Sequence, residues 1–257
     1  MLSVRSLNKR FSADGPLVLD SMDLEVAEGE FVSLLGPSGC GKTTLLKIVA
    51  GLLQPSQGKV LLDEKESRAP SKEKAMVFQH FNLLPWRTAL KNASYGLEVQ
   101  GVPKDERLER AGQYLKLLGL TAYENHYPSQ ISGGMKQRVG LARALATEPR
   151  LMLMDEPFGA LDALTRENLQ NELLRITESQ GLTVLFVTHS IDEAIFLSNR
   201  IVVMGRHPGR KLAEFEVPFE FPRVSTEIRA DPRFGTLRNE VWVLLEEEMK
   251  ATGVVDG

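Results

Sequence analysis

The residues Gly36-Pro37-Ser38-Gly39-Cys40-Gly41-Lys42-Thr43-Thr44 carry the first recognisable chemistry. They fit the pattern G-x-x-x-x-G-K-[ST]. The apolar run Phe31-Val32-Ser33-Leu34-Leu35 stands before them, and a helix-forming stretch from Lys42 to Leu53 follows. Strand, glycine loop and helix together make an anion nest. Successive backbone N–H groups point inward, and the helix N-terminus adds partial positive charge. Lys42 is expected to reach the β- and γ-phosphates of a nucleotide, and the Thr43 hydroxyl to ligate Mg²⁺. A glycine turn with a chance lysine would lack these flanks. The chain is expected to bind a nucleoside triphosphate.

A second group lies at Leu151-Met152-Leu153-Met154-Asp155-Glu156-Pro157. Four apolar residues make a buried strand, and two carboxylates emerge at its C-terminal edge, where parallel sheets bind ligands. Asp155 is placed to hold Mg²⁺. Glu156, one residue on, is placed to polarise a water for attack on the γ-phosphate. Cys40, inside the nest, is expected to have a lowered thiol pKa and to react readily.

These groups need elements to hold them. With 257 residues, 42% hydrophobic and 25% charged, the chain suits one large α/β domain or two small ones. A net charge of −3 gives no basic field for nucleic acid, and the one cysteine rules out an internal disulfide. No apolar run reaches the roughly 20 residues of a membrane span, and Met1 to Arg5 lacks a signal-peptide layout. The expectation is a cytosolic chain that meets a membrane only through a partner. Residues 1 to 35 read as antiparallel strands over Val4 to Phe11, Leu17 to Val26 and Phe31 to Leu35. Lys59 to Asp63 and Ala75 to Gln79 read as further strands. The pattern turns helical from about Leu90 to Leu145, with helices over Lys104 to Leu118 and Lys136 to Ala146. Alternating order then returns: helix Ala163 to Gln180, strand Thr183 to Thr188, helix Ile191 to Leu197, strand Ile201 to Met204. In the tail, Leu237, Val241, Leu244, Leu245 and Met249 fall on one helical face, expected to dock on the core.

Between the two groups lies Ile131-Ser132-Gly133-Gly134-Met135, followed by Lys136-Gln137-Arg138. Here the chain resembles the ATP-binding-cassette (ABC) ATPases, whose signature is L-S-G-G-Q; Met135 stands where glutamine is usual. The resemblance covers about 205 residues and implies an α/β fold: a P-loop NTPase core, an antiparallel β subdomain and an inserted α-helical subdomain. It divides the chain into a cassette over 1–209, with the helical insertion at about 85–145, and a short extension over 210–257. It also implies roles. Phe11 would stack on adenine, and Gln79 would sense Mg²⁺ and the γ-phosphate. Asp162 would lie in a loop that crosses between subunits, and His189 would be the switch histidine. Ser132, Gly133 and Gly134 would cover the γ-phosphate held by a second copy, in a head-to-tail dimer closed by ATP.

The branch of the family rests on finer wording. The apolar segment Phe81-Asn82-Leu83-Leu84-Pro85-Trp86-Arg87-Thr88 stands where ABC transporters receive a helix of their integral-membrane permease, with Phe81 and Trp86 as natural anchors. Leu84 to Thr88, the turn Arg206-His207-Pro208-Gly209-Arg210, and the tail segments Phe221-Pro222-Arg223 and Asp231-Pro232-Arg233-Phe234 resemble importers of nitrate, taurine and aliphatic sulfonates. The expected protein is the ATP-hydrolysing subunit of such an importer, with ATP and Mg²⁺ as cofactors. It would sit peripherally on the cytoplasmic face of the membrane and work indirectly with a solute-binding protein, without nucleic acid. An exporter or lipid-transport ATPase, or a soluble ABC protein acting on nucleic acid or ribosomes, is the alternative.

Overall fold

A computed structural model describes residues 1–206 and 208–251; His207 and residues 252–257 lie outside the described residues. The elements in chain order are β1 Leu2–Arg10, β2 Leu17–Val26, β3 Phe31–Leu35, α1 Lys42–Ala50, β4 Gln57–Leu62, β5 Lys65–Glu66 and β6 Lys74–Val77. There follow α2 Ala89–Ala93, α3 Tyr95–Val99, α4 Lys104–Leu117, α5 Gly133–Leu145, β7 Leu151–Asp155, α6 Ala163–Gln180 and β8 Thr183–Thr188. The last are α7 Ile191–Leu197, β9 Arg200–Met204, β10 Lys211–Glu216, α8 Ser225–Ala230 and α9 Pro232–Ala251. The chain divides into two compact units, 1–70 with 174–257, and 71–173.

The first unit holds an antiparallel sheet in the order β2-β1-β4-β5. Its last hairpin turns through Asp63 and Glu64, at φ 48° and 60°, the left-handed pair that a two-residue turn between twisted strands requires. The same unit holds β3 in parallel pairing with β8 on one side and β9 on the other, and β10 runs antiparallel to β9. The expectation that β3 continues the antiparallel strands before it is therefore wrong. All five of its residues are buried, as a strand covered on both faces requires, whereas β2 alternates toward its end. Helix α1 also stops short of Leu53, because Gly51 closes it: its N–H donates to the Ile48 carbonyl at 2.9 Å.

Helix α7 follows β8 closely and is fixed at both ends. Ser190 caps its start by accepting the Glu193 N–H at 3.3 Å. At its end the buried Arg223 donates from Nη1 to the carbonyls of Ile195, Phe196 and Ser198 at 3.2, 2.9 and 2.9 Å. Nε and Nη2 of the same side chain donate to the Phe219 carbonyl at 3.1 and 2.6 Å. Burial among carbonyls pushes the guanidinium pKa down to about 10. Helix α9 lies against α7 and α8, with Leu237 and Val241 buried. Leu244, Leu245 and Met249, expected on the same docked face, are only half-buried, and Trp242 is exposed.

In the second unit β6 and β7 pair in parallel, from Lys74↔Leu151 to Val77↔Met154. Helices α2 to α5 pack on one another. The signature helix α5 begins at Gly133 and not near Lys136, because Ser132 caps it and accepts the Met135 N–H at 3.3 Å.

Replacing Arg223 by Met leaves four carbonyls without their donor. We expect a loss of about 2–4 kcal/mol, read as a fall in thermal midpoint. Arg223→Lys should recover less than half of it, since an ammonium cannot reproduce the planar fork.

Candidate functional site

The first unit carries the glycine loop. It leaves β3 at Gly36 and enters α1 through Gly41, whose φ of 93° is open to glycine and strained for a side chain. Ser38 and Gly39 are exposed at the crown, and Cys40 is buried beneath it. Lys42 is buried and folds back over the loop. Its Nζ donates to the carbonyls of Gly36 at 2.6 Å and Pro37 at 3.1 Å, and lies 3.7 Å from Cys40 Sγ. Thr43 and Thr44, in the first turn of α1, are partly exposed.

The reactive thiol expected of Cys40 is not what the fold provides. Burial pushes its pKa up, and the nearby Lys42 ammonium only partly opposes this. The side chain is fully buried, with its Sγ 3.7 Å from Lys42 Nζ.

His189 stands beside the loop for a reason of register. Leu35 of β3 pairs with Thr188 of β8, so Gly36 and His189 leave adjacent parallel strands together. The histidine is exposed, and its flanks are tied down: Thr188 Oγ1 donates to Glu193 at 2.6 Å and accepts the Ser190 N–H at 3.0 Å. Gly36, Pro37 and His189 line a cavity of about 490 Å³ with Trp242, Leu245 and Met249 of α9. Phe11, just past β1, is 64% exposed, with Lys9 Nζ 5.1 Å from the ring centroid. An aromatic face left in solvent is free to receive a flat ring.

The second unit carries the carboxylates. Asp155 ends β7 and is buried. Glu156 follows at φ 45°, a left-handed conformation that costs a non-glycine residue roughly 1–2 kcal/mol. Gln79 Nε2 donates to Glu156 Oε2 at 3.2 Å. The pairing Val77↔Met154 explains this contact, because Gln79 and Glu156 each stand two residues beyond it.

Ser132 and Gly133 are exposed and Gly134 is partly covered at the start of α5. The Ser132 oxygen already serves its own helix as a cap. Asp162 does likewise, accepting the Thr165 N–H at 3.0 Å ahead of α6, and this bond holds its carboxyl pKa low. Arg138 of α5 is fixed by two contacts of 3.0 Å to Glu172 of α6.

The segment 81–88 is pinned from behind. Buried Asn92 accepts the Leu84 N–H at 2.7 Å and donates to the carbonyls of Leu84, Arg87 and Thr88 at 3.1, 2.9 and 3.1 Å. Arg143 donates to the carbonyls of Asn82 at 2.7 Å and Phe81 at 3.1 Å. Arg87 makes a two-pronged pair with Glu98 at 2.8 and 3.1 Å. This leaves Trp86 70% exposed on a fixed backbone, while Phe81 is half-buried.

Sequence reasoning missed one support of the loop. The turn after β9 is stitched to its back: Gly209 donates to the Val18 carbonyl at 3.0 Å, and its own carbonyl accepts the Asp20 N–H at 2.9 Å. A Cβ on Gly209 would stand 2.1 Å from the Cys40 carbonyl oxygen, so any other residue would push the loop. The turn was legible as a subfamily mark, but its contact with a loop some 170 positions earlier leaves no local signal.

The pattern of the ABC transporter family matches residues 19–159. The chain is 50% identical, over 96% of its length and 92% of the relative's, to an uncharacterized ABC transporter ATP-binding protein of Methanocaldococcus jannaschii. It is 43% identical to the taurine import ATP-binding protein TauB of Yersinia pestis, over 94% of its own length and 95% of that chain. Among solved structures it is similar to a dimeric, post-hydrolysis ATP-binding cassette bound to ADP and Pi. The TM-score is 0.76 at 35% identity, covering 86% of this chain and all of that one. The chain belongs to the ABC transporter family, as an ATP-hydrolysing cassette.

Proposed function

We propose that this chain is the ATPase subunit of an importer for a small anion, of the kind represented by nitrate, taurine or an aliphatic sulfonate. The observation that carries the mechanism is the pair Gln79–Glu156, with the glutamate held left-handed at the end of a buried strand. A strained conformation at a strand end suits a functional group better than a structural one. The importer branch is supported by the likeness to TauB across nearly the whole of both chains.

The roles follow from the chemistry of each group. The N–H groups of Gly36 to Thr44 and the Lys42 ammonium bind the phosphates, and Lys42 exchanges its carbonyl partners for phosphate oxygens. Phe11 carries the adenine. The oxygens of Thr43, Gln79 and Asp155 are hard donors of the kind Mg²⁺ takes, and they would hold it. The ion supplies charge neutralisation for the transferred phosphoryl group. Glu156 orients water and accepts its proton; Gln79 fixes the carboxylate; His189 donates to the γ-phosphate.

Ser132, Gly133, Gly134 and Asp162 belong, in this reading, to the contact with a second copy. Forming it leaves both caps in place: the Ser132 hydroxyl can donate while its oxygen accepts the Met135 N–H, and the Asp162 carboxylate keeps further acceptor sites beside the one that Thr165 uses. The exposed Trp86 on its pinned segment is the anchor for a permease. No helix among the described residues is long and apolar enough to cross a membrane. In this reading the chain sits peripherally on its membrane partner at the cytoplasmic face. We read 1–209 as the cassette and 210–257 as its extension.

Glu156→Gln should lower Mg-ATP turnover by at least 100-fold while leaving ATP binding within a few fold. In light scattering the same variant should dimerise with Mg-ATP and return to monomer with ADP. Full turnover in this variant would remove Glu156 from the chemistry. A second outcome concerns Cys40: iodoacetamide at pH 8 should label it at least tenfold more slowly than a small free thiol, becoming fast only on unfolding.

A further inference from the structure

The turn after β9 puts a second positive charge against the glycine loop. Arg206 extends toward the loop, and its Nη2 lies 3.6 Å from the point where a Gly39 Cβ would stand. Among the described residues the guanidinium has no carboxylate partner and its buried Nε has no hydrogen-bond partner. An arginine with its charge unpaired and partly desolvated is costly to keep unless an anion benefits from it.

The residue is held there by its backbone. Glu248 of α9, itself buried, accepts the Arg206 N–H at 2.9 Å and pairs with Arg210 at 3.6 Å, not with Arg206. Gly205 lets it approach, since a Cβ there would meet Glu248 Oε1 at 2.5 Å. The nearby acidic group is thus spent on an amide and on Arg210, and the Arg206 charge faces the loop uncompensated. On the other side of the turn, Gly209 rests on Cys40 of the same loop.

We propose that Arg206 is a positioning residue that raises the loop's affinity for polyphosphate from outside the nest, and that α9 sets this contribution through Glu248. The inference rests on the nucleotide reading of the loop. Lys42 acts by contact with the anion; Arg206 acts by its field and by bracing Gly39, where the backbone N–H groups turn inward. The C-terminal helix, outside the phosphate loop in sequence, thereby gains a grip on nucleotide affinity.

The test is Mg-ATP and Mg-ADP binding to the full chain by calorimetry, at low and at about 0.5 M salt. It compares the wild type with Arg206→Met, which keeps the apolar stem, and with Arg206→Lys, which keeps the charge. We expect R206M to weaken ATP binding about fivefold at low salt, and ADP binding less, in proportion to charge. R206K should recover to within twofold of wild type, and the difference between R206M and wild type should shrink at high salt. Thermal unfolding checks that R206M is folded; if it is not, Arg206→Gln carries the same comparison. Wild-type affinity in R206M, a loss in R206K equal to that in R206M, or a loss indifferent to salt would overturn the proposal. Wild type that binds no Mg-ATP overturns the nucleotide reading and this proposal with it; where wild type binds and Lys42→Ala does not, the nucleotide reading stands and R206M alone decides this proposal.

Discussion

The structure depends on a backbone loop whose back is closed by other backbone, and which in the proposed function offers its N–H groups to a polyanion. Gly36 to Gly41 have little side chain with which to hold their shape. The shape comes from what surrounds them: β3 buried on both faces, α1 beginning at Lys42, and the Gly209 turn seated on the Cys40 carbonyl. The charge at the centre, the Lys42 ammonium, is bonded to the loop's own carbonyls, which in the proposed function give way to phosphate oxygens. At Gly36, Gly41 and Gly209 a Cβ would stand 2.5, 2.7 and 2.1 Å from its nearest neighbour, so little room that glycine is the residue that fits.

The chemistry is divided in the chain. The loop, His189 and Phe11 belong to the first unit, while Gln79, Asp155, Glu156 and the signature belong to the second. In both, parallel register does the placing: Leu35↔Thr188 sets His189 beside Gly36, and Val77↔Met154 sets Gln79 beside Glu156. Two residues that never approach in sequence become neighbours because each stands the same distance past a paired position. The helices serve the same end. Arg223 closes α7, which follows His189, and Arg138 ties the signature helix to α6.

Much of this was legible in the sequence because it is local. A glycine loop between an apolar run and a helix former, or two carboxylates after four apolar residues, needs no knowledge of distant contacts. The elements α6, β8 and α7 likewise match the expected bounds, since buried strands and amphipathic helices have clear periods. What failed was tertiary. The partner of β3 could not be read from Phe31 to Leu35, because a two-faced buried strand looks alike in either kind of sheet. Cys40 was misjudged because proximity to a nest in sequence says nothing of how deeply a side chain is buried. The caps at Ser132 and Asp162 show a different limit: the residue types were singled out for a role between subunits, while the same oxygens serve their own helices.

An ATPase of this kind has no transport to perform alone, so the account stands or falls on attachment. The most direct measurement is to tag the chain, solubilise membranes of its own host in mild detergent, and identify what co-purifies. The account predicts an integral-membrane subunit in one-to-one ratio, released when Trp86 and its pinned segment are altered. Recovery of the chain from the soluble fraction alone, or with ribosomes or DNA, would contradict the importer reading and leave only the ATPase.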